Sequence, residues 1–181
     1  MTLVKKLLKD QTGCPVRAIS TALDTQAFIA GSAARHLLVG STYDDIDVFL
    51  SDREFEPEVC KTILSLGFIA IGDTPNAREF YNPNRQLTLQ LIKPAEGRSG
   101  SMAHVMEGFD FTVNVVAVAT VGGKLAAWYH PQFYTAYDAR TLVFVGSISD
   151  PPSMVYRQMK YYKKGYSVNP LMIAAVFEAW D

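Results

Sequence analysis

The apolar positions of the first fifty residues follow three successive rhythms. Across Thr2–Asp10, Leu3, Leu7 and Leu8 alternate with Lys5, Lys6 and Lys9, which predicts a short amphipathic helix stopped by Gln11-Thr12-Gly13. Pro15 suits the first position of a second helix running to about Leu23. Phe28-Ile29-Ala30 then reads as a short buried strand that breaks at Gly31-Ser32 into a small-residue helix carrying Arg35, Leu37 and Leu38. After the turn at Gly40-Ser41-Thr42, the stretch Asp45–Leu50 alternates with a period of two. Ile46, Val48 and Leu50 take one face of this strand, and Asp45 and Asp47 take the other.

Beyond this stretch, Phe55, Val59, Ile63 and Leu66 predict a helix over Glu54–Leu66 with Gly67 as its C-terminal cap. Phe68–Ile71 reads as a strand. Gly72–Arg85, rich in Pro and Asn, reads as loop around a short Glu79-Phe80-Tyr81 strand. Gln86–Lys93 alternates as a strand, and Ser101–Glu107 predicts a brief helix. In Asp110–Val115, Phe111, Val113 and Val115 share one face and Asp110, Thr112 and Asn114 the other, leading into a run apolar on both faces, as in a central strand. Gly122-Gly123 marks a hairpin before a strand over Lys124–Tyr129. A helical or loop segment follows to Asp138, and then a last strand over Thr141–Val145. Pro151-Pro152, with Ser153 as helix cap, opens a helix to Lys164, and Asn169-Pro170 opens a final apolar helix to Trp180. These elements predict an α/β (α+β) body over residues 1–148, a mixed sheet with helices on one side, and a helical extension over 149–181 packed on it.

Composition narrows the class. The chain has 181 residues, 49% of them hydrophobic and 19% charged, as in a globular domain with a real core. A net charge of −1 supplies no global field for nucleic acid, so any such contact rests on a local patch. Cys14 and Cys60 make no disulfide framework and have no metal-ligand spacing. The N-terminal stretch lacks a signal-peptide core, and no apolar run nears the roughly 20 residues that cross a bilayer. The expectation is a soluble cytoplasmic protein with no membrane partner, in the host cytoplasm if the chain is phage-encoded.

The candidate chemistry sits on the acidic face of one strand. Two carboxylates at i and i+2, beside a glycine turn, form a seat for one or two Mg²⁺ ions. His104 and His130 lack ligand partners at useful spacing, and His36, on its helix, reads as structural or solvent-facing. In the Pro151 helix Arg157, Lys160 and Lys164 form a basic stripe. With Lys163 and the tyrosines 156, 161, 162 and 166, that stripe offers stacking and phosphate contacts to RNA or another single strand, or else a solvated edge.

Three blocks in order, FIAGSAARHLLVG with DDIDVF, DFTVN, and DPPSMVYRQMKYYKKGY, together resemble the DNA polymerase β-like nucleotidyltransferase superfamily over about residues 27–166. The branch they are most similar to is the head domain of class II tRNA CCA-adding enzymes and bacterial poly(A) polymerases, in a short form like that of phage-encoded chains. The resemblance implies transfer of a nucleoside monophosphate from an NTP to a hydroxyl acceptor. It assigns Asp45 and Asp47 to catalysis and Mg²⁺ binding. It places Gly31 and Ser32 at the triphosphate, Arg35 at the phosphates or holding the loop, and Asp110, supported by Asn114, at the ribose.

This sequence also departs from the family pattern. Ser32 replaces a glycine, His36 an aspartate, and Gly108-Phe109 two arginines. Gln90 stands on the strand where the superfamily commonly supplies a third carboxylate. The alternative is therefore a catalytically weakened nucleotidyltransferase fold that binds nucleotide or nucleic acid, as a phage accessory protein. A third option is a purely structural or partner-binding protein.

Overall fold

The structure, a computed structural model, describes residues 1–9, 13–98, 100–146, 148 and 150–180. The helix stop expected at Gln11-Thr12 and the domain boundary expected at Ser149 lie outside the described residues. In chain order the elements are β1 (Val4–Leu7), α1 (Pro15–Leu23), β2 (Ala27–Ala30), α2 (Gly31–Val39), β3 (Asp45–Leu50), α3 (Glu56–Ser65), β4 (Ile69–Asp73), β5 (Ala77–Asn82) and β6 (Leu87–Ile92). They continue as α4 (Met102–Glu107), β7 (Val116–Val121), β8 (Lys124–Tyr129), α5 (Phe133–Asp138), β9 (Thr141–Leu142), α6 (Pro151–Lys163), β10 (Ser167–Val168) and α7 (Pro170–Glu178).

Eight strands form one mixed sheet in the order β1-β8-β7-β2-β3-β6-β5-β4. Within this sheet, among the described residues, β3 and β6 alone pair in parallel, and α3 with the β4–β5 hairpin makes the crossover between them. The alternation in β3 and β6 sends Ile46, Val48, Leu50, Leu89 and Leu91 to one face. There they meet Val16, Ile19, Ala33, Leu37, Val59 and Ile63 of α1, α2 and α3. The other face carries a smaller cluster, Phe28, Ala30, Val115 and Ala117 under Met106 of α4, with Phe49 stacked on Phe28 at 5.6 Å. Helices therefore cover both faces, although the sequence places them on one. The short α4 shields only part of the second face, and Asp45 and Asp47 lie on that face beside Phe49.

Four other expectations change. Val4–Leu7 is an antiparallel edge strand on β8 and not a helix. A four-residue apolar/lysine pattern fits either period, and the open edge of β8 decides between them. Lysines on such an edge discourage pairing with other chains. Asp110–Asn114 is a turn that enters β7 only at Val116, joined to the 141–145 segment by a Phe111–Phe144 bridge. Its alternation reflects burial on two sides and not a pleat. The Asn/Pro-rich stretch after Gly72 holds a full hairpin, β4–β5, turning at Thr74–Asn76. Asp150, not Ser153, caps α6, its carboxylate accepting from the Ser153 N–H, with Pro151 in the first turn.

The loop before α4 is held against the end of β3 with no room for a side chain at Gly100. A Cβ there would meet Leu50 O at 2.2 Å and Ser51 O at 2.6 Å, both backbone atoms. Gly100→Ala is expected to destabilise the fold by about 1–3 kcal/mol through forced backbone displacement, measurable as a shift in the urea midpoint at unchanged m-value.

Past β8 a second small core forms. Phe111 and Val113 of the turn, Ala136 of α5, Leu142 of β9, Met154 of α6 and Met172 and Val176 of α7 pack together, and β9 pairs in parallel with β10. This packing lays α6 beside the acidic end of β3.

Candidate active site

β2 and β3 pair so that Ala30 lies opposite Asp47. The chain then turns at Gly31, with φ +70°, straight into α2. A Cβ at Gly31 would lie 3.7 Å from Asp47 Oδ2, so the backbone passes close to the carboxylate. Ala30 occupies the N-cap of α2 and provides no capping side chain. The first-turn N–H groups, at Gly31 and the half-buried Ser32, are therefore without an intrahelical acceptor next to Asp47.

The acidic face extends across three strands. Asp45 is in register with Thr88 and Asp47 with Gln90 on β6, and Gln90 is in turn opposite Glu79 on β5. Gln90 Nε2 donates to Glu79 Oε1 at 3.1 Å, so the nearest carboxylate along this row is held one strand further out. Among the described residues no group of three or more His, Cys, Asp or Glu comes together to hold a metal. Burial and, to a smaller extent, the charge of Asp45 push the Asp47 carboxyl up to about 6, with Lys160 opposing both. Two mutually repelling carboxylates that each gain from a nearby cation, beside N–H groups suited to phosphate, fit Mg²⁺. That ion is commonly held by one or two carboxylates plus substrate phosphates.

The basic stripe of α6 faces the protein's own aspartates. Arg157 Nη1 pairs with Asp110 Oδ2 at 2.7 Å, Lys164 Nζ lies 3.7 Å from Asp44 Oδ2, and Lys160 acts on Asp47. Burial raises the Asp110 carboxyl above its usual range, and Arg157 partly offsets that. Lys163 is exposed on the last turn of α6. The stripe is thus part of the site's wall as well as a basic surface.

Arg35 is 4% exposed, and its guanidinium spans three segments. Nε donates to Ser41 Oγ at 3.2 Å, and Nη1 donates to Val113 O at 3.2 Å, to Asn114 Oδ1 at 3.4 Å and to Tyr161 OH at 3.4 Å. Tyr161 also donates to Asn114 Oδ1 and lies edge-on to Phe111 at 5.7 Å. Arg35 and Asn114 therefore tie α2, the 110–114 turn and α6 into one unit around the aspartates. Asp44 was not singled out from the sequence, whereas Tyr161, expected there as part of an aromatic stacking cluster, bonds Arg35 and Asn114 from one turn beyond Arg157 on the same helix. His36 donates from Nδ1 to Ser41 O at 2.6 Å, and His130 Nδ1 accepts from the Gln132 N–H, so both serve turns.

The fold has known counterparts. The Thermotoga maritima CCA-adding enzyme complexed with tRNA superposes with a TM-score of 0.69 at 13% identity, covering 91% of this chain and 40% of that one. A CCA-adding enzyme in complex with ATP gives 0.71 at 14% identity, covering 91% and 41%. The apo form of a tRNA-processing enzyme gives 0.69 at 14%, covering 96% and 48%. The chain spans less than half the length of these proteins, and its sheet and helices match their nucleotidyltransferase head domain. No curated protein matches it in sequence. No helix among the described residues is long and apolar enough to cross a membrane. A family model does match, over residues 2–140, and with it the chain belongs to the Gabija anti-defense 2 family.

Proposed function

We propose that this chain is a short, phage-type nucleotidyltransferase that moves a nucleoside monophosphate from an NTP to an acceptor in the infected host's cytoplasm. The observation that carries this reading is the Asp45/Asp47 pair beside Gly31 and the uncapped start of α2. Asp45 and Asp47 would hold Mg²⁺, which would supply charge neutralisation at phosphoryl oxygens and activation of the acceptor hydroxyl. Gly31 and Ser32 offer backbone N–H groups to the triphosphate, and the missing Cβ lets the chain approach it. Asp110 meets the ribose, and Arg157 sets its orientation through their ion pair. Arg35 and Asn114 hold the phosphate-side turn in place. Arg157, Lys160, Lys163 and Lys164 give the rim a positive edge for RNA or another polyanionic acceptor. Membership in an anti-defense family directs the acceptor search to a component of the Gabija defence system.

The test is a radiolabelled NTP assay with Mg²⁺ against tRNA, RNA and purified defence proteins. Wild type is expected to label one of them, and Asp45→Ala and Asp47→Ala to fall to background. Identical behaviour of wild type and both variants with every acceptor sinks the enzyme reading. Gln90 and the outward-held Glu79 favour a second reading, a nucleotide-binding protein with weakened catalysis. Calorimetry with NTP and Mg²⁺ separates the two, since binding without turnover is the signature of the second.

A further inference from the structure

Three cations of α6 face the acidic end of β3, and two of them are spent on the protein itself. Arg157, Lys160 and Lys164 recur at i, i+3 and i+7, so they share one side of the helix. Arg157 holds Asp110 at 2.7 Å, and Lys164 Nζ lies 3.7 Å from Asp44 Oδ2. Lys160 stands between them and is exposed. Among the described residues its ammonium forms no ion pair and no hydrogen bond, yet it is near enough to Asp47 to act on that carboxylate through space. A cation that faces a metal-site carboxylate without touching it leaves room for a further charged group between them. The next residue, Tyr161, says on which side of the site this happens. Its hydroxyl bonds Arg35 and Asn114, and Arg35 belongs to α2, whose first turn carries Gly31 and Ser32. Along α6 the order is therefore Arg157 at Asp110, then Lys160 and Tyr161 beside α2 and Asp47, then Lys164 at Asp44.

We propose that Lys160 is a substrate-contacting residue whose ammonium receives the triphosphate of the NTP beyond its α-phosphate. This rests on the nucleotidyl-transfer reading above. A nucleotide with its ribose at Asp110 and its phosphates at Gly31, Ser32 and Asp47 runs along α6 from Arg157 toward Tyr161, and so passes Lys160. A metal ion at a site of this kind bridges the β- and γ-oxygens, and Lys160 faces the carboxylate that would hold it. Charge calls for such a group. Asp45, Asp47 and a triphosphate together carry more negative charge than one Mg²⁺ cancels. The neighbouring cations are engaged, Arg157 with Asp110, Lys164 with Asp44, and Arg35 with Ser41, Val113, Asn114 and Tyr161. Lysine suits the part, because its ammonium is a compact point charge on a flexible stem and can close on phosphate oxygens without displacing a protein partner. The α6 helix lies beyond residues 2–140, the stretch the family model matches, so this contact comes from a helix outside that stretch.

Calorimetry of the full chain with Mg²⁺ is the test, using the four ribonucleoside triphosphates, their monophosphates and inorganic tripolyphosphate. The proteins are wild type, Lys160→Met, Lys160→Arg and, as a control for lost charge, Lys124→Met. Lys124 is exposed at the start of β8 and belongs to no part of the site. Lys160→Met is expected to weaken triphosphate and tripolyphosphate binding by at least about 10-fold and to leave the monophosphates as wild type binds them. Lys160→Arg is expected to keep most of the affinity, and Lys124→Met all of it. Melting temperatures are expected to coincide, since an exposed lysine with no protein partner holds no elements together. Equal losses for tri- and monophosphates would put Lys160 at the ribose or α-phosphate, and an unchanged triphosphate affinity would leave it on the rim alone. Either result overturns this proposal while the nucleotidyl-transfer reading stands. A wild type that binds no triphosphate overturns both.

Discussion

Asp47→Asn is expected to make the metal-free protein more stable at pH 7.5 while abolishing the proposed nucleotidyl transfer. Burial and Asp45 raise the Asp47 carboxyl to about 6 in the folded chain, against 3.8 in an unfolded one. Between these values the native state holds a proton that the unfolded state has lost, so stability falls as pH rises through this window. The penalty is fully present above about 6 and absent below about 4. Two units correspond to about 2–3 kcal/mol. The isosteric amide removes the charge, and for a chain of this size the gain is roughly 4–8 °C in Tm. Melting curves of wild type and variant are therefore expected to coincide near pH 4 and separate as pH rises to 7. Mg²⁺ is expected to raise the wild-type Tm at pH 7.5 by linkage and to leave Asp47→Asn unmoved. A variant less stable than wild type at pH 7.5 refutes the strained-carboxylate account.

The same carboxylate illustrates how far the sequence reaches. The period-two alternation of β3 placed Asp45 and Asp47 on one face and Ile46, Val48 and Leu50 on the other, and the structure keeps that arrangement because a one-residue slip would invert every side chain. The turn at Gly31 and the helix after it were equally legible, since glycine is the residue that takes a φ of +70° at low cost. What the chain alone did not disclose depends on pairing between distant segments. Val4–Leu7 becomes a strand because β8 presents an open edge more than a hundred residues later. Asp110–Asn114 alternates like a strand yet turns, because Arg35 takes the Val113 carbonyl and Arg157 takes Asp110. The basic stripe of α6 looks like a solvent-facing surface by spacing, and only the second core shows that it leans on aspartates 110, 47 and 44. Glu79 lies on a hairpin whose Asn/Pro-rich flanks mimic loop, so its alignment with Gln90 and Asp47 is a property of the assembled sheet.

Arg35→Met is expected to move stability the other way, lowering it by about 3–5 kcal/mol, or roughly 10 °C in Tm. Methionine fills much of the volume but makes none of the four hydrogen bonds, to Ser41, Val113, Asn114 and Tyr161. The Val113 carbonyl is left buried without this donor, at a cost of about 1–3 kcal/mol by itself. The remaining loss comes from freeing the 110–114 turn and Tyr161 from α2. Arg35→Lys is expected to recover less than half of it, because an ammonium is a single point of donation and cannot span acceptors on three segments as a guanidinium fork does. Chemical denaturation measures both variants, and labelled-NTP binding at a temperature where both remain folded isolates any direct role. If Arg35→Met loses nucleotide affinity with its unfolding free energy unchanged, Arg35 acts on the ligand and the bracing account fails. If stability falls and affinity falls with it, with Arg35→Lys between the two, the residue acts by holding the turn that carries Asp110 and Asn114. Asp47 is the strained charge and Arg35 anchors the elements around it, so the Asp47→Asn/Arg35→Met double variant is expected to regain about half of the stability that Arg35→Met loses and to lack the proposed transfer activity.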